Sequence, residues 1–184
     1  MTLRERILAV YAGETPDVVP YMLDLSHWFY SKTGRPWDLS QSFTEPERDL
    51  IDYHREAGVG FYMPNMASFY QATDADDVIS RVDKVQTNGV PEIVWHLETP
   101  LGTIERRRIW EPGTYAWGIS QWGVRSESDL RVLGHALGSR RYASDWQQWG
   151  QWDQCVGDTG LVYLSAGYSA MGHLLNYWMG IEQT

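Results

Sequence analysis

An aspartate and a histidine three residues apart, Asp24 and His27, are the first side chains along this sequence that could do chemistry together. They lie at the end of a short apolar segment, residues 21–25, which the pattern predicts to be a strand, and on the loop after it. A carboxylate and an imidazole at this spacing could form a catalytic acid/base pair or ligate a metal ion. In the alternative interpretation, Asp24 caps the loop and His27 makes a structural hydrogen bond.

Further polar and aromatic residues follow the predicted strands, where the active sites of α/β folds lie. We predict that these residues contact substrate. They lie beside the first pair, after the second and third predicted strands, and, for one histidine, one turn into the last predicted helix. They are Ser26, Trp28, Asn65, Ser165, Tyr168 and His173. For Asn65 an ordinary turn position is the alternative.

Other candidate residues have simpler structural explanations. We expect His54 and His135 to be solvated on helix surfaces and His96 to lie on an exposed strand face. The basic run Arg106–Arg108 is also predicted to form a solvated strand face, with an anion site as the alternative. Cys155 has no identifiable base beside it, so it is predicted to be a small buried apolar group.

The first twenty residues predict a capped helix, a turn and the entry to a strand. Thr2 and Glu5 have the spacing of a capping box, in which each side chain satisfies a free backbone N–H of the first turn. Gly13 is predicted to end the helix. Its apolar face is predicted as Ile7, Leu8, Val10 and Tyr11.

A second helix and a second strand predict a βαβ unit. After a polar, aromatic loop over 26–42, Thr44 is predicted to cap a helix, with Glu47 closing another capping box. Gly58 ends this helix, and the apolar segment 59–63 suits a buried parallel strand. The apolar stripe of the helix is predicted as Leu50, Ile51 and Ala57.

The middle of the chain alternates apolar and polar residues over 78–85, 92–98 and 103–110. Asn88-Gly89 and the segment 100–102 provide turns between these runs, so an antiparallel meander is predicted.

Helical patterns then return. Ser126 and Ser144 are each predicted as N-caps, 161–164 as the third apolar strand, and a last helix runs through Trp178. The buried faces of the two capped helices are predicted as Leu130, Leu133, Leu137, Trp146, Trp149, Trp152 and Val156.

Four motifs in order resemble the uroporphyrinogen decarboxylase superfamily, which includes the corrinoid-dependent methyltransferases. They are the opening segment 4–20, the Glu-Thr-Pro-Leu-Gly-Thr hairpin at 98–103, the helix entry at 123–130, and the loop and helix at 166–180. The resemblance implies a (β/α)8 barrel about twice as long as this chain. It also places Tyr177 near the active-site tyrosine of the decarboxylases, so Tyr177 joins the predicted substrate-binding residues.

Two departures place the chain nearer the methyltransferase branch. The decarboxylases carry an arginine-rich loop after the first strand, but here the residues that follow the first predicted strand contain no arginine until Arg35. They also end the second strand with an aspartate that holds the pyrrole nitrogens, and 61–65 has none. A substrate with eight carboxylates needs cations, so decarboxylation of uroporphyrinogen is not expected.

The methyltransferase branch implies two cofactors, zinc and a corrinoid. In that branch one histidine and two cysteines hold zinc, which converts a thiol acceptor to a thiolate. With Cys155 as its only cysteine and no His-x-Cys motif, this chain cannot complete such a site, and neither cofactor is assigned to residues within it. The implied partners are a small-molecule methyl donor or acceptor and a corrinoid protein.

Composition restricts the other partners. A formal charge of −9 and a pI of about 4.9 argue against nucleic acid, whose affinity comes largely from Lys and Arg. A single cysteine suits a reducing cytoplasm. The sequence shows no basic-then-apolar leader and no apolar run near the ~20 residues of a membrane span, so we expect no membrane partner.

The sequence therefore predicts the α/β fold of the N-terminal part of a (β/α)8 TIM-type barrel, formed by residues 1–184 as one partial domain, with an antiparallel meander inserted at about 78–110. The predicted function is corrinoid-linked methyl transfer in one-carbon metabolism by the complete protein, the chain alone being inactive. One alternative is a non-catalytic module that completes a barrel by pairing with another chain, including a second copy of itself. A divergent tetrapyrrole decarboxylase is the other alternative.

Overall fold

A computed structural model of the chain describes residues 1–34, 38–40, 47–62, 69–164 and 168–181. The described residues form a mixed α/β structure that includes antiparallel sheet, as predicted, and they form no closed barrel. The chain divides into two compact units. The first unit contains residues 1–70 and 144–166, and the second contains residues 71–143 and 167–184.

The helices, in chain order, are α1 (Leu3–Tyr11), α2 (Ser26–Thr33), α3 (Arg48–Ala57), α4 (Glu127–Ser139), α5 (Gln147–Val156) and α6 (Ala170–His173). The strands are β1 (Met22–Leu23), β2 (Gly60–Phe61), β3 (Tyr70–Thr73), β4 (Ile79–Thr87), β5 (Val90–Thr99), β6 (Gly102–Glu111), β7 (Ala116–Gln121) and β8 (Arg141–Ser144). A 3₁₀ turn at Gly157–Thr159 follows α5, and a π-helical turn at Leu174–Met179 continues α6.

The capping box at the start of α1 is confirmed. The Thr2 hydroxyl accepts from the Glu5 amide at 3.1 Å, and the Glu5 carboxylate accepts from the Thr2 amide at 2.8 Å. Gly13 follows the helix with φ +76°, a conformation that favours glycine. Of the predicted apolar face of α1, only Ile7 is buried. The other buried residue of this helix is Ala9, which was not predicted. Leu8, Val10 and Tyr11 are exposed.

The first unit contains the predicted βαβ arrangement. β1 and β2 pair in parallel, with Met22 opposite Gly60. A single parallel bridge then joins Phe61 to Gly160, on the other side of β2 from β1. The segment 161–164 was predicted as a third strand, but it is not a continuous strand. Only two isolated β-bridges occur here, one at Gly160 and one at Leu164.

Two helix boundaries in the first unit differ from the prediction. The segment predicted as loop from Ser26 contains α2, which packs Phe29 against the core of this unit. α3 begins at Arg48 with Glu47 as its N-cap residue, and Glu47 makes no capping hydrogen bond. The predicted cap Thr44 lies outside the described residues. Gly58 ends α3 as predicted, with φ +64°.

The core of the first unit lies between α3, β2 and α5. Its fully buried side chains are Leu50, Ile51, Phe61, Trp152 and Val156. α5 begins after Trp146 rather than at the predicted cap Ser144, and Trp146 is exposed. Ala57 was predicted in the apolar stripe of α3 but is exposed, because it lies at the solvent end of the helix.

The second unit contains the predicted antiparallel meander, with a fourth strand, β7, in addition to the three predicted. Asn88 and Gly89 connect β4 to β5 with φ +53° and +79°, as a type I′ turn requires. The Ser126 hydroxyl caps α4 by accepting from the Asp129 amide at 3.2 Å. α4 packs on β5 and β6 through Val132, Leu133 and Ala136, whereas the predicted core residue Leu130 is exposed.

β3 and β8 pair with each other at the positions where the chain passes from one unit to the other. Within the described ranges, no helix has both the length and the apolar character needed to cross a membrane.

Candidate functional site

The predicted pair Asp24 and His27 lies where β1 leads into α2. Asp24 Oδ1 accepts a hydrogen bond from the amide of Ser26 at 2.9 Å, which is the capping contact that the alternative interpretation of Asp24 describes. His27 and Trp28 lie in the first turn of α2 and are exposed, whereas Ser26 is buried. The first helical turn, rather than a loop, therefore positions three of the predicted residues.

A second carboxylate, Glu47, is the functional candidate that sequence reasoning missed in this unit. The Tyr30 hydroxyl on α2 donates to Glu47 Oε2, so the two side chains join the start of α3 to α2. Burial raises the pKa of the Glu47 carboxyl, and the negative charge of Asp24 raises it further, while the Tyr30 hydrogen bond opposes both. Glu47 is thus a partly buried carboxyl group beside α2 whose pKa is raised mainly by burial.

His54 was predicted to be solvated, and this is wrong. Its side chain is fully buried on the inner face of α3, with its ring 4.8 Å from that of Phe61. Nδ1 lies 3.3 Å from the carbonyl oxygen of Val59, and Nε2 is buried with no hydrogen-bond partner in the described part of the chain. Burial lowers the pKa of His54, so the ring is neutral at physiological pH. Neighbouring Arg55 and Glu56 suggested a polar face, but Leu50 and Ile51 set the buried face of the helix.

The second unit brings together three other predicted residues, Tyr168, His173 and Tyr177. The rings of His173 and Tyr177 stack at 4.8 Å, and the Tyr168 ring lies 5.9 Å from that of Tyr177. His173 and Tyr177 are four residues apart on consecutive helical turns, a spacing that places their side chains on one face. Burial lowers the pKa of His173, and the positive charges of Arg106 and Arg140 lower it further.

The basic run 106–108 was predicted to be solvated, and for Arg106 this is wrong. The Arg106 guanidinium lies 4.2 Å from the ring centre of Trp95, 5.5 Å from that of Tyr177 and 5.2 Å from that of Trp178. Burial lowers the pKa of Arg106 to about 10, and the charge of Arg108 contributes in the same direction. The alternating pattern of β6 placed Arg106 on the face of Ile104, which is buried, and this is the signal that could have revealed its burial.

On the opposite sheet face, His96 is also less exposed than predicted. Its Nε2 lies 3.0 Å from Asp83 Oδ2 and its Nδ1 lies 3.2 Å from Glu105 Oε2, and its side chain is only 13 % exposed. His135 was predicted to be solvated and its side chain is 30 % exposed, with Nε2 3.0 Å from Asp77 Oδ2. Cys155 is partly buried against the core of the first unit, and its sulfur accepts from Arg48 Nη1 at 3.6 Å.

Two predicted substrate-binding residues, Asn65 and Ser165, lie outside the described residues. Within the described part of the chain, no three His, Cys, Asp or Glu side chains come together in a group that could hold a metal ion. The implied zinc site therefore has no donor set among these residues, and we assign no step to zinc.

Comparison with protein-family models, with curated proteins and with solved structures gives no match to this chain.

Proposed function

We propose that this chain forms the first strands of a uroporphyrinogen decarboxylase-like (β/α)8 barrel that transfers a methyl group between a corrinoid and a small-molecule acceptor. The observation that carries the proposal is the parallel order of β1, β2 and the Gly160 segment. These three segments follow one another along the chain and in space, with helices between them, as the opening strands of such a barrel would.

Glu47 is the proton acceptor in this proposal. A thiol acceptor must lose its proton before its sulfur can attack a methyl carbon, and the raised pKa of Glu47 makes its carboxylate a stronger base than an exposed glutamate. Glu47 takes the proton, the electron pair of the S–H bond stays on sulfur, and the thiolate attacks the methyl group. The electron pair of the broken bond remains with the methyl donor.

Two neighbouring groups act on this base. The Tyr30 hydroxyl donates to Glu47 Oε2, which fixes the carboxylate and leaves Oε1 as the oxygen to receive the proton. Burial is the main cause of the raised pKa of Glu47, and the charge of Asp24, whose carboxylate accepts from the Ser26 amide, adds to it. His27 and Trp28 are exposed on the first turn of α2, and in this proposal the ring of Trp28 contacts the acceptor.

The corrinoid enters this proposal as a substrate that a partner protein carries to the site. The zinc of the methyltransferase branch has no donor set among the described residues, and within this chain Glu47 is the group that we propose as proton acceptor.

One observation favours the non-catalytic alternative, a module that pairs with a further strand. Among the described residues β1 has β2 as its only neighbour, and large apolar side chains next to its open edge are exposed. They are Val18, Val19, Tyr21 and Leu23. Either a later strand of the same polypeptide or a second chain would cover this edge.

The test is methyl transfer by the complete polypeptide that the gene encodes, with methylcobalamin as donor and a panel of small thiols as acceptors, followed by cobalamin absorbance. We expect thiol-dependent demethylation that Glu47→Gln slows by about 10²–10⁴-fold, the range of general-base catalysis. Glu56→Gln, an exposed glutamate on the same helix, is the matched control and should retain the rate. If no thiol is methylated by a folded protein, the proposed function is wrong and the module alternative is favoured.

A further inference from the structure

Three consecutive arginines on β6 have two different electrostatic environments. Arg107 is paired with carboxylates, since its Nε donates to Glu105 Oε1 at 2.5 Å and its Nη1 lies 3.5 Å from Glu92 Oε2. Arg106 and Arg108 lie on the opposite face, because side chains alternate along a strand. Among the described residues, neither has a carboxylate within ion-pair distance.

Neutral groups surround both unpaired cations. Arg106 Nη1 donates to the carbonyl oxygen of Tyr177 at 3.2 Å, and Arg108 Nη1 donates to that of Trp117 at 3.2 Å. Arg106 is opposite Trp95 in the pairing of β5 with β6. Two N–H donors here, Arg106 Nε and Trp178 Nε1, are buried and have no hydrogen-bond partner among the residues that the structure describes, so the described cluster has donors in excess of acceptors.

This arrangement is costly unless an anion completes it. Burial lowers the pKa of Arg106 to about 10 and also lowers that of Arg108, so both remain charged at neutral pH while partly removed from water. Two like charges without a counter-charge destabilise the folded chain. On this face Asp74 accepts a hydrogen bond from Ser80 and pairs with Arg140, and among the described residues no carboxylate pairs with Arg106 or Arg108.

We propose that Arg106 and Arg108 bind the carboxylate or phosphate group of a small organic anion whose flat apolar part packs on the neighbouring aromatic rings. Guanidinium groups recognise both anions through paired N–H donors. The stacked rings of His173 and Tyr177, with Trp95 and Trp178 beside Arg106, supply an aromatic surface next to the charge. The proposal depends only on the second unit, and not on the methyl-transfer function.

The first experiment is isothermal titration calorimetry of the chain at low ionic strength with benzoate, phenyl phosphate and the neutral amide benzamide. We expect one anion to bind with 1:1 stoichiometry and at least about tenfold more tightly than benzamide, because a charge-assisted hydrogen bond contributes that much. The tighter of the two anions identifies the acidic group. Equal affinity for benzoate and benzamide, or no binding of either anion at millimolar concentrations, would overturn the proposal.

Variants then assign the site. Arg108→Gln should weaken anion binding at least about tenfold, and Arg106→Lys should weaken it because a point charge replaces the planar fork. Arg107→Gln on the opposite face and Arg125→Gln, which is exposed, should bind the anion within about twofold of the unmodified chain. Circular dichroism identifies folded variants, and Arg108→Gln suffices if Arg106→Lys does not fold. If Arg107→Gln and Arg108→Gln weaken binding equally, the effect is one of general charge and the proposal fails.

Discussion

Gly160 approaches the backbone of Phe61 so closely that a Cβ atom at position 160 would lie 2.6 Å from the Phe61 carbonyl oxygen. The only described parallel contact between β2 and the third segment of the first unit is made at this point. Any side chain at position 160 would clash with the Phe61 backbone. Backbone atoms cannot relieve such a clash by changing rotamer, as a side chain could. The close approach of the third segment to β2 therefore requires a glycine at position 160.

The first prediction follows from this contact. Gly160→Ala should destabilise the protein by about 1–3 kcal/mol, as forced overpacking does, because the bridge to Phe61 must open. Urea unfolding followed by circular dichroism measures the change. Gly150→Ala on α5, where a Cβ would meet nothing within 4 Å, is the matched control and should stabilise by about 0.5–1 kcal/mol. Equal effects of the two substitutions would show that position 160 is not tightly packed.

The second prediction concerns pH and His54. Its pKa is lowered in the folded state, so below the ordinary value of 6.5 the unfolded chain binds a proton that the folded chain does not. The free energy of unfolding should therefore fall as the pH is lowered through 6.5 and become constant again below the folded-state pKa. His54→Asn, which keeps an N–H donor near Val59, should reduce this dependence.

Unfolding in urea at pH 8 and at pH 5.5 tests the His54 prediction. His173 has a lowered pKa as well and contributes in the same direction, so the comparison is best made in a His173→Gln background. An unchanged pH dependence in the His54→Asn protein, or stability that rises as pH falls, would contradict the assignment of a neutral buried imidazole.

The third prediction concerns the aromatic surroundings of Arg106. A Cβ at Gly123 would lie 2.9 Å from the Trp178 ring, so Gly123→Ala should displace Trp178 and change the near-ultraviolet circular dichroism. The displacement should also cost about 1–3 kcal/mol. Gly134→Ala on α4, where a Cβ would meet nothing within 4 Å, should leave the spectrum unchanged. A spectrum unaffected by both substitutions would mean that Trp178 does not pack on Gly123.

Local sequence signals predicted the elements that local interactions stabilise. The capping residues Thr2 and Ser126 and the turn at Asn88-Gly89 are confirmed because each satisfies backbone groups or dihedral angles within a few residues. The meander is confirmed, and alternating apolar and polar residues were the signal for its half-exposed strands. The parallel β1–β2 pair is also confirmed, and short uniform apolar runs were the signal for it.

The features that the sequence did not predict depend on tertiary packing. The helix Ser26–Thr33 has weak helical propensity, and the packing of Phe29 on the core of the first unit stabilises it. Spacing places Arg106 on the face of buried Ile104 and His54 near Leu50 and Ile51, but the tertiary neighbours that cover these two faces are distant in the sequence. The contact of Glu47 with Tyr30 joins residues 17 apart, and no pattern in the sequence indicated it.

The central claim is that Glu47 accepts the proton of the methyl acceptor at the carboxyl end of β1. The pH dependence of kcat/KM for methyl transfer by the complete polypeptide tests it most directly, with Glu47→Gln compared with Glu56→Gln. We predict a rate that rises with pH through a pKa above the ordinary 4.5 of glutamate in the unmodified and Glu56→Gln proteins, and loss of this rise in Glu47→Gln. The same rising limb and the same rate in all three proteins would contradict the claim.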